Sequence, residues 1–207
     1  KRKYCGFYGD ISVFSFYANK HITTGEGGML LTDNKQFFTK IEKLKNLCFG
    51  KINRYNHDDI GWNYRFTNLQ AAIGISQLRR INSIIKRKQK IGKDYYEKIV
   101  KNKNIYIQSP YYNNLRNVYW VVGILIKNKK MTARELQKKL LKKGIDTRLF
   151  FWPMNKQTIL KKMKYKFKNN YKNSEYISKY GFYLPSGLGT TKKEIKFVVN
   201  NINKILK

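Results

Sequence analysis

Residues 15–28 read SFYANKHITTGEGG and join two apolar runs through a lysine and a glycine-rich turn. The apolar pattern predicts a short buried strand over residues 11–17 and another over residues 28–32. Lys20 follows the first strand, where dehydration favours the neutral amine that can attack a carbonyl and form a Schiff base. The alternative is that Lys20 extends its ammonium group into solvent, as most lysines at strand ends do.

The neighbours of Lys20 are small. Thr23, Thr24 and Gly25 follow it and leave room for a planar ring. Ser15 precedes it on the first predicted strand, and its hydroxyl could hold a phosphate. These residues indicate a site for a ring that carries a phosphate, but spacing alone does not decide between this site and a solvated lysine.

The rest of the pattern predicts two domains. Thr67 and Gln70 form a capping box that opens a long helix over residues 67–98. The composition turns polar over residues 100–117, which predicts a boundary between a domain over residues 1–100 and a small α/β domain over residues 101–207. Other predicted elements are a helix at 34–47, a loop at 49–66, strands at 118–126 and 147–151, and an extended piece at 183–186. Capping boxes also predict a helix from Thr132 to Gly144, with Glu135 as the partner of Thr132, and a last helix from Thr191, with Glu194 as its partner.

The charge of the chain is strongly positive. It has 44 Lys and Arg residues against 12 Asp and Glu residues, a net charge of +32. Such a balance is typical of nucleic-acid-binding proteins. Asn, Ile and Tyr are also abundant, and these residues share A/T-rich codons with Lys. We therefore favour a compositional origin for the charge over a nucleic-acid-binding surface.

Several classes of site are absent from the sequence. The two histidines and two cysteines lack zinc-ligand spacing, and no phosphate-loop, dinucleotide or serine-nucleophile motif is present. Adjacent acids at Asp58 and Asp59 are typical of a solvated loop rather than a metal pair. Cys5 and Cys48 suggest a reduced, cytoplasmic protein, and no apolar run has the length of a membrane span. The first strand begins almost at once without an initial Met, so we expect the C-terminal portion of a longer protein.

Two long blocks carry a resemblance to a known family. GDISVFSFYANKHITTGEGGMLLT at 9–32 and HDDIGWNYRFTNLQAAIGISQL at 57–78 closely resemble segments of the DegT/DnrJ/EryC1/StrS family. These proteins are pyridoxal-phosphate (PLP) nucleotide-sugar aminotransferases. The pair Arg87-Lys88, a tyrosine at 95 or 96, TRLFFWPM at 147–154 and YLPSG at 183–187 fit the same family. The resemblance implies an α/β fold of the fold-type I, aspartate aminotransferase-like class, with residues 1–100 in the large PLP-binding domain.

The resemblance also implies roles for individual residues. Lys20 matches the catalytic lysine that holds PLP as a Schiff base and shuttles the proton between cofactor and sugar. Ser15 matches the serine that contacts the PLP phosphate. Asn63 matches a region that reaches this phosphate across a dimer interface, and Arg65 is a weaker candidate there. The TTGEGG turn then forms the floor beside the lysine, with Glu26 in a structural role.

The activity that the resemblance implies is amino transfer from L-glutamate to C4 of a nucleotide-linked 4-keto-6-deoxyhexose by a homodimer, for O-antigen or a related glycan. Met154-Asn155 stand where relatives often have a histidine, so the sugar and its UDP, dTDP or GDP carrier stay open. The family's aspartate for the pyridine nitrogen is expected before Lys1, so the fragment alone should be inactive. Rival hypotheses are a non-catalytic remnant and, least favoured, a basic nucleic-acid-binding domain.

Overall fold

The computed structural model describes residues 4–128 and 130–207. The chain divides into two compact units, residues 1–83 and 84–207. The domain division at residue 100 that the composition predicts stays a prediction. In the described part of the chain, none of the helices has both the length and the apolar content that crossing a membrane requires.

The N-terminal unit begins with a short 3-10 helix at Cys5–Phe7 and an antiparallel hairpin. Strand β1 (Ser12–Ser15) pairs with β2 (Gly28–Leu31), so that Ser15 lies opposite Gly28. Helices α1 (Lys35–Lys45) and α2 (Asn68–Leu78) follow. Helix α3 (Ile81–Ile99) then begins in this unit and continues into the next.

The prediction that β1 and β2 are buried is wrong. Val13 is 76% exposed, and the exposed apolar side chains of the hairpin also include Phe14, Met29, Leu30 and Leu31. The two strands pair in antiparallel register, but two strands alone cannot cover their own faces. An apolar run predicts a strand, whereas its burial depends on other layers packing against it.

The helix predicted over residues 67–98 is divided. Its capping box is present, because the Thr67 hydroxyl accepts from the Gln70 N–H at 3.2 Å and the Gln70 side chain accepts from the Thr67 N–H at 3.0 Å. Helix α2 ends at Leu78, and the Arg80 N–H bonds the Gln77 carbonyl at 3.0 Å in a tightened turn before α3 begins. The apolar stripe runs through this break, which is why periodicity alone predicts a single helix.

The C-terminal unit is built on a four-stranded antiparallel sheet in the order β3-β6-β8-β7. Its strands are β3 (Ile105–Ile107), β6 (Val122–Ile126), β7 (Arg148–Leu149) and β8 (Gly181–Leu184). A two-stranded hairpin, β4 (Tyr111–Tyr112) and β5 (Leu115–Arg116), lies between β3 and β6 in the chain. The helices are α4 (Ala133–Leu141), α5 (Thr158–Lys162), α6 (Lys172–Tyr180) and α7 (Lys192–Ile205).

One core fills this unit. Alternate residues of β6, Val122, Ile124 and Ile126, are buried against the helices, as the period of a strand requires. Phe182 on β8 is fully buried at 0% exposure. The helices contribute the stripes Ile91, Tyr95 and Ile99 of α3, Leu136 and Leu140 of α4, and Ile195, Val198, Val199 and Ile202 of α7. Residues 84–207 therefore form a unit with its own apolar core.

Helices α4 and α7 begin with the capping boxes that the sequence predicts. The Thr132 hydroxyl accepts from the Glu135 N–H, and the Glu135 carboxylate accepts from the Thr132 N–H at 2.7 Å. The same reciprocal pair joins Thr191 and Glu194. Each box satisfies backbone donors that the first turn of a helix would otherwise leave unpaired. On α7 the solvent side is largely lysine and asparagine, at Lys192, Lys193, Lys196, Asn200 and Lys204.

Helix α3 holds the segment 185–190 through side chains. Arg87 donates from Nε to the Leu188 carbonyl at 3.0 Å, and from Nη2 to that of Thr190 at 2.6 Å. Lys88 Nζ donates to the Ser186 carbonyl at 2.6 Å. The Tyr95 hydroxyl donates to the Pro185 carbonyl at 2.8 Å. The pair Arg87-Lys88 thus secures a loop of the C-terminal unit.

The burial of Lys88 predicts an unusual pH dependence of stability. Burial lowers the pKa of Lys88 from 10.5 to about 8. Between these values the unfolded chain binds more protons at this position than the folded chain, so the free energy of unfolding rises with pH. We expect the free energy of unfolding of the wild type, relative to that of Lys88→Met, to rise by about 1–2 kcal/mol between about pH 8 and pH 10. Urea titration at each pH would measure it.

The matched control is Lys86→Met, because Lys86 lies on α3 but is exposed. The difference in free energy of unfolding between the wild type and Lys86→Met should stay constant over the same pH range. A flat difference for Lys88→Met as well would show that water reaches the Lys88 ammonium group in the folded protein.

Candidate functional site

The turn after β1 is closed by backbone hydrogen bonds. The Phe16 N–H donates to the Gly27 carbonyl at 2.9 Å, and the Phe16 carbonyl accepts from the Thr24 N–H at 2.9 Å and the Thr23 hydroxyl at 2.8 Å. Within this loop the Lys20 N–H donates to the Tyr17 carbonyl at 3.0 Å. Lys20 is therefore held on a short turn directly beyond the strand, and it is partly buried.

Two glycines are required by the geometry of this turn. Gly25 has a φ of +81° and Gly27 a φ of +137°, a region that side chains with a β-carbon rarely adopt. A β-carbon on Gly27 would also lie 2.2 Å from the Phe66 ring and 2.8 Å from the Thr24 hydroxyl. The space beside Gly25, in contrast, is open. The two glycines therefore let the turn close, and the position of Gly25 stays open to solvent.

Helix α2 supports the turn from one face. Gln77 Oε1 accepts from the Thr23 N–H at 3.1 Å, and Gln70 Nε2 donates to the Glu26 carbonyl at 3.3 Å. A β-carbon on Gly74 would lie 3.0 Å from Thr24 Cγ2. Residues 70, 74 and 77 recur at helical spacing and share a face. The sequence assigns Gln70 only to a capping box, and this i, i+4, i+7 spacing of small and amide residues is the signal that could have identified the second role.

Ser15 ends β1 and is exposed. Its Oγ accepts a long hydrogen bond of 3.4 Å from the Tyr17 N–H. This contact uses a lone pair of the hydroxyl and leaves its proton able to donate to an anion. Ser15 and Lys20 thus lie on one continuous segment, at the end of the strand and in the turn that follows.

Asn63 and Arg65 lie on a second segment, which runs alongside the end of α1. The Trp62 N–H donates to the Leu44 carbonyl at 2.7 Å, and the Tyr64 N–H donates to that of Lys45 at 2.9 Å. Arg65 Nε donates to Asn63 Oδ1 at 2.9 Å. Asn63 and Arg65 are therefore in direct contact. Their segment is positioned by α1, whereas Ser15 and Lys20 are positioned by the hydrogen bonds of the turn after β1.

The segment also has an aromatic side. Trp62 and Tyr64 alternate with Asn63 and Arg65, so they project to the opposite face of an extended chain. Their rings stack with an interplanar angle of 4° and a centroid separation of 6.1 Å. One face of the segment is therefore polar and the other aromatic.

Ion pairs fix the start of this segment to α1. Lys40 Nζ lies 2.7 Å from Asp59 Oδ2, and Lys43 Nζ lies 3.8 Å from Asp58 Oδ2. The hydrogen bond from Lys40 lowers the pKa of Asp59 below its ordinary value. Among residues 4–128 and 130–207, no group of three or more His, Cys, Asp and Glu is arranged to hold a metal ion. The adjacent acids thus pair with lysines.

The comparison with protein families identifies one match. The model described as the DegT/DnrJ/EryC1/StrS aminotransferase family matches residues 1–203. A GDP-perosamine synthase of Escherichia coli O157:H7 is 34% identical over 204 residues, which cover 99% of this chain and 54% of that protein. A UDP-4-amino-4,6-dideoxy-N-acetyl-beta-L-altrosamine transaminase of Campylobacter jejuni is 28% identical and covers 100% of this chain and 55% of its own length. The chain spans about half the length of the curated relatives it matches.

Solved structures share the fold. Helicobacter pylori PseC, an aminotransferase involved in the biosynthesis of pseudoaminic acid, matches with a TM-score of 0.88 and 22% identity over 100% of this chain and 56% of its own. An E. coli GDP-4-keto-6-deoxy-D-mannose-3-dehydratase with bound hydrated PLP matches with a TM-score of 0.82 and 22% identity, over 96% and 56% of the chains. These likenesses confirm the predicted α/β, fold-type I class.

Proposed function

Because this chain belongs to the DegT/DnrJ/EryC1/StrS aminotransferase family, we propose that it is part of a PLP-dependent aminotransferase for a nucleotide-linked keto sugar. The observation that carries the proposal is Lys20, a partly buried lysine on a glycine-bounded turn directly after β1. One relative of the same fold is a dehydratase by name, so the fold alone does not specify the reaction. A lysine amine at this position is what amino transfer needs.

The side chains fit pyridoxal phosphate, which combines an aromatic aldehyde with a phosphate. Lys20 offers a primary amine for the aldehyde carbon. Ser15 offers a hydroxyl for the phosphate. Arg65 and the amide nitrogen of Asn63 offer further donors for the same anion. The donor set thus matches both functional groups of the cofactor.

When bound, the cofactor supplies the aromatic system that takes up electrons from the carbon that loses its proton. Lys20 holds the aldehyde end, and its Nζ then carries the proton between the amino donor, the cofactor and the sugar carbon. Ser15 holds the phosphate end, and in the proposed homodimer Asn63 and Arg65 reach that phosphate across the interface. The backbone hydrogen bonds of residues 16–27 keep the Lys20 backbone on a fixed turn, so the amine is always offered from the same place in the chain.

The proposed substrates are L-glutamate as the amino donor and a 4-keto-6-deoxyhexose nucleotide that accepts the amine at C4. The E. coli relative named GDP-perosamine synthase supports a GDP-linked, perosamine-type sugar, and the C. jejuni relative keeps a UDP-linked sugar as the alternative. The net charge of +32 suits a diphosphate substrate. We further propose a cytoplasmic homodimer that serves O-antigen or related glycan synthesis.

The first test identifies the residue that binds the cofactor. The complete coding sequence that contains these residues would be expressed, mixed with PLP, reduced with borohydride and mapped by mass spectrometry. We expect a pyridoxyl group on Lys20 and on no other lysine. A folded protein that forms no adduct would contradict the proposed aminotransferase activity and would favour the hypothesis of a non-catalytic remnant. DNA binding that weakens steeply with salt and is indifferent to Lys20→Ala would instead favour the basic binding domain.

A further inference from the structure

We infer that Asn46 is a positioning residue of the proposed phosphate site, acting through Arg65 and Asn63. This inference rests on the proposed function, because the anion it concerns is the phosphate of the cofactor. Asn46 lies at the end of α1 and has no role in the sequence prediction. Its side chain oxygen Oδ1 accepts from Arg65 Nη1 at 3.0 Å.

The backbone places the three side chains on one face. Asn46 and Asn63 form an isolated antiparallel bridge, so they lie directly opposite each other and their side chains project to the same side. Arg65 follows Asn63 by one full period of an extended chain and projects to that side as well. The arrangement of the three polar side chains is therefore a product of register.

The guanidinium group of Arg65 is fixed by two amide oxygens. Its Nε donates to Asn63 Oδ1 at 2.9 Å and its Nη1 donates to Asn46 Oδ1 at 3.0 Å. Two separate donors on a planar group define both its position and its plane. The second hydrogen of Nη1 and both hydrogens of Nη2 remain for a ligand. Such a fork matches the oxygens of a phosphate or a carboxylate.

The same contacts fix the amide of Asn63. Because its Oδ1 accepts from Arg65, the Asn63 amide nitrogen must occupy the other position of the side chain. The amide then presents two N–H donors, which is the polarity an anion requires. Without Arg65 the amide could turn its oxygen toward the anion, which would repel it. Asn46 therefore supports two phosphate donors by holding one guanidinium.

An uncommon backbone conformation holds Asn46 in place. The next two residues, Leu47 and Cys48, have φ values of 62° and 47°, in a left-handed region that few residues other than glycine adopt. The Leu47 N–H donates to the Trp62 carbonyl at 3.0 Å, and the Cys48 N–H donates to the Lys43 carbonyl at 2.9 Å. A β-carbon on Gly61 would lie 2.6 Å from the Cys48 nitrogen. This reversal keeps the end of α1 against the Asn63 segment.

The test compares the affinities of the complete protein for PLP and for pyridoxal, which lacks the phosphate. We expect Asn46→Ala to weaken PLP binding about tenfold and to leave pyridoxal binding unchanged, since only the phosphate contacts are lost. Asn56→Ala is the matched control, because Asn56 is an exposed asparagine of the loop that follows Asn46. It should leave both affinities unchanged.

A double-mutant cycle then separates positioning from general damage. If Asn46 acts only through Arg65, Asn46→Ala should have no further effect on PLP affinity when Arg65 is already alanine. An equal loss of PLP and pyridoxal binding, or a tenfold effect that persists without Arg65, would overturn the inference while leaving the adduct on Lys20 intact. A wild-type protein that forms no such adduct would overturn the proposed function and this inference together.

Discussion

Replacing Lys20 with alanine is expected to lower the rate of amino transfer at least about 1,000-fold. One side chain both binds the cofactor and moves the proton, and proton transfer alone contributes between about 100-fold and 10,000-fold. The effect should appear in the catalytic constant, because Lys20 is the only lysine between residues 15 and 28 and no neighbouring amine on this turn can replace it. Single-turnover measurement of 2-oxoglutarate formed from glutamate would give the rate directly.

Two controls sharpen this experiment. Lys20→Arg keeps the positive charge but replaces the amine with a guanidinium that stays protonated and cannot attack an aldehyde, so it should be as inactive as the alanine variant. Lys35→Ala removes an exposed lysine at the start of α1 and should retain full activity. Retention of more than about one tenth of the activity in Lys20→Arg would contradict the role of the amine.

Replacing Phe182 with alanine is expected to lower the free energy of unfolding of the C-terminal unit by about 3–5 kcal/mol. Phe182 is fully buried on β8, and this strand pairs with β6 on one side and β7 on the other. Truncation leaves a cavity between the sheet and its helices that neighbouring strands cannot close without losing register. The loss should be read from urea unfolding monitored by hydrogen exchange of the β6 amides.

The matched control is Phe197→Ala on α7. Phe197 is 51% exposed, so its truncation removes the same atoms but opens no enclosed cavity. We expect a loss below about 1 kcal/mol for this variant. Similar losses for the two phenylalanines would show that β8 does not form the centre of the core.

Local signals in the sequence predicted helices and strands well where a capping box or a clear apolar period marked the element. The capping boxes at Thr67, Thr132 and Thr191 are present where they were predicted, since each depends on contacts within four neighbouring residues. Helix α6 and strand β3 were not predicted. Helix α6 has no buried residue, and β3 has only three residues, so neither produces a periodic signal strong enough to stand out in a polar region.

The strand and turn around Lys20 were predicted for the same reason, whereas the roles of the site residues come from the family resemblance and stay predictions. Lys20 and Ser15 lie close in sequence, and a strand followed by a glycine-rich turn is a local signal. The supports of the site depend on contacts between distant residues. Gln77 reaches the Thr23 N–H from α2, and Asn46 reaches Arg65 from the end of α1. No period or motif in a single sequence encodes such pairs, because they arise when separate segments pack together.

The capping boxes have a practical consequence for protein engineering. Each of the three helix starts with a box depends on two side chains, and the buried stripe behind it depends on a few apolar residues, as α7 illustrates with Thr191, Glu194 and four buried positions. The exposed lysines between them contribute to neither. Net charge and fold can therefore be edited separately in this chain, so the net charge of +32 can be lowered by replacing exposed lysines that make no ion pair on the outer faces of the helices.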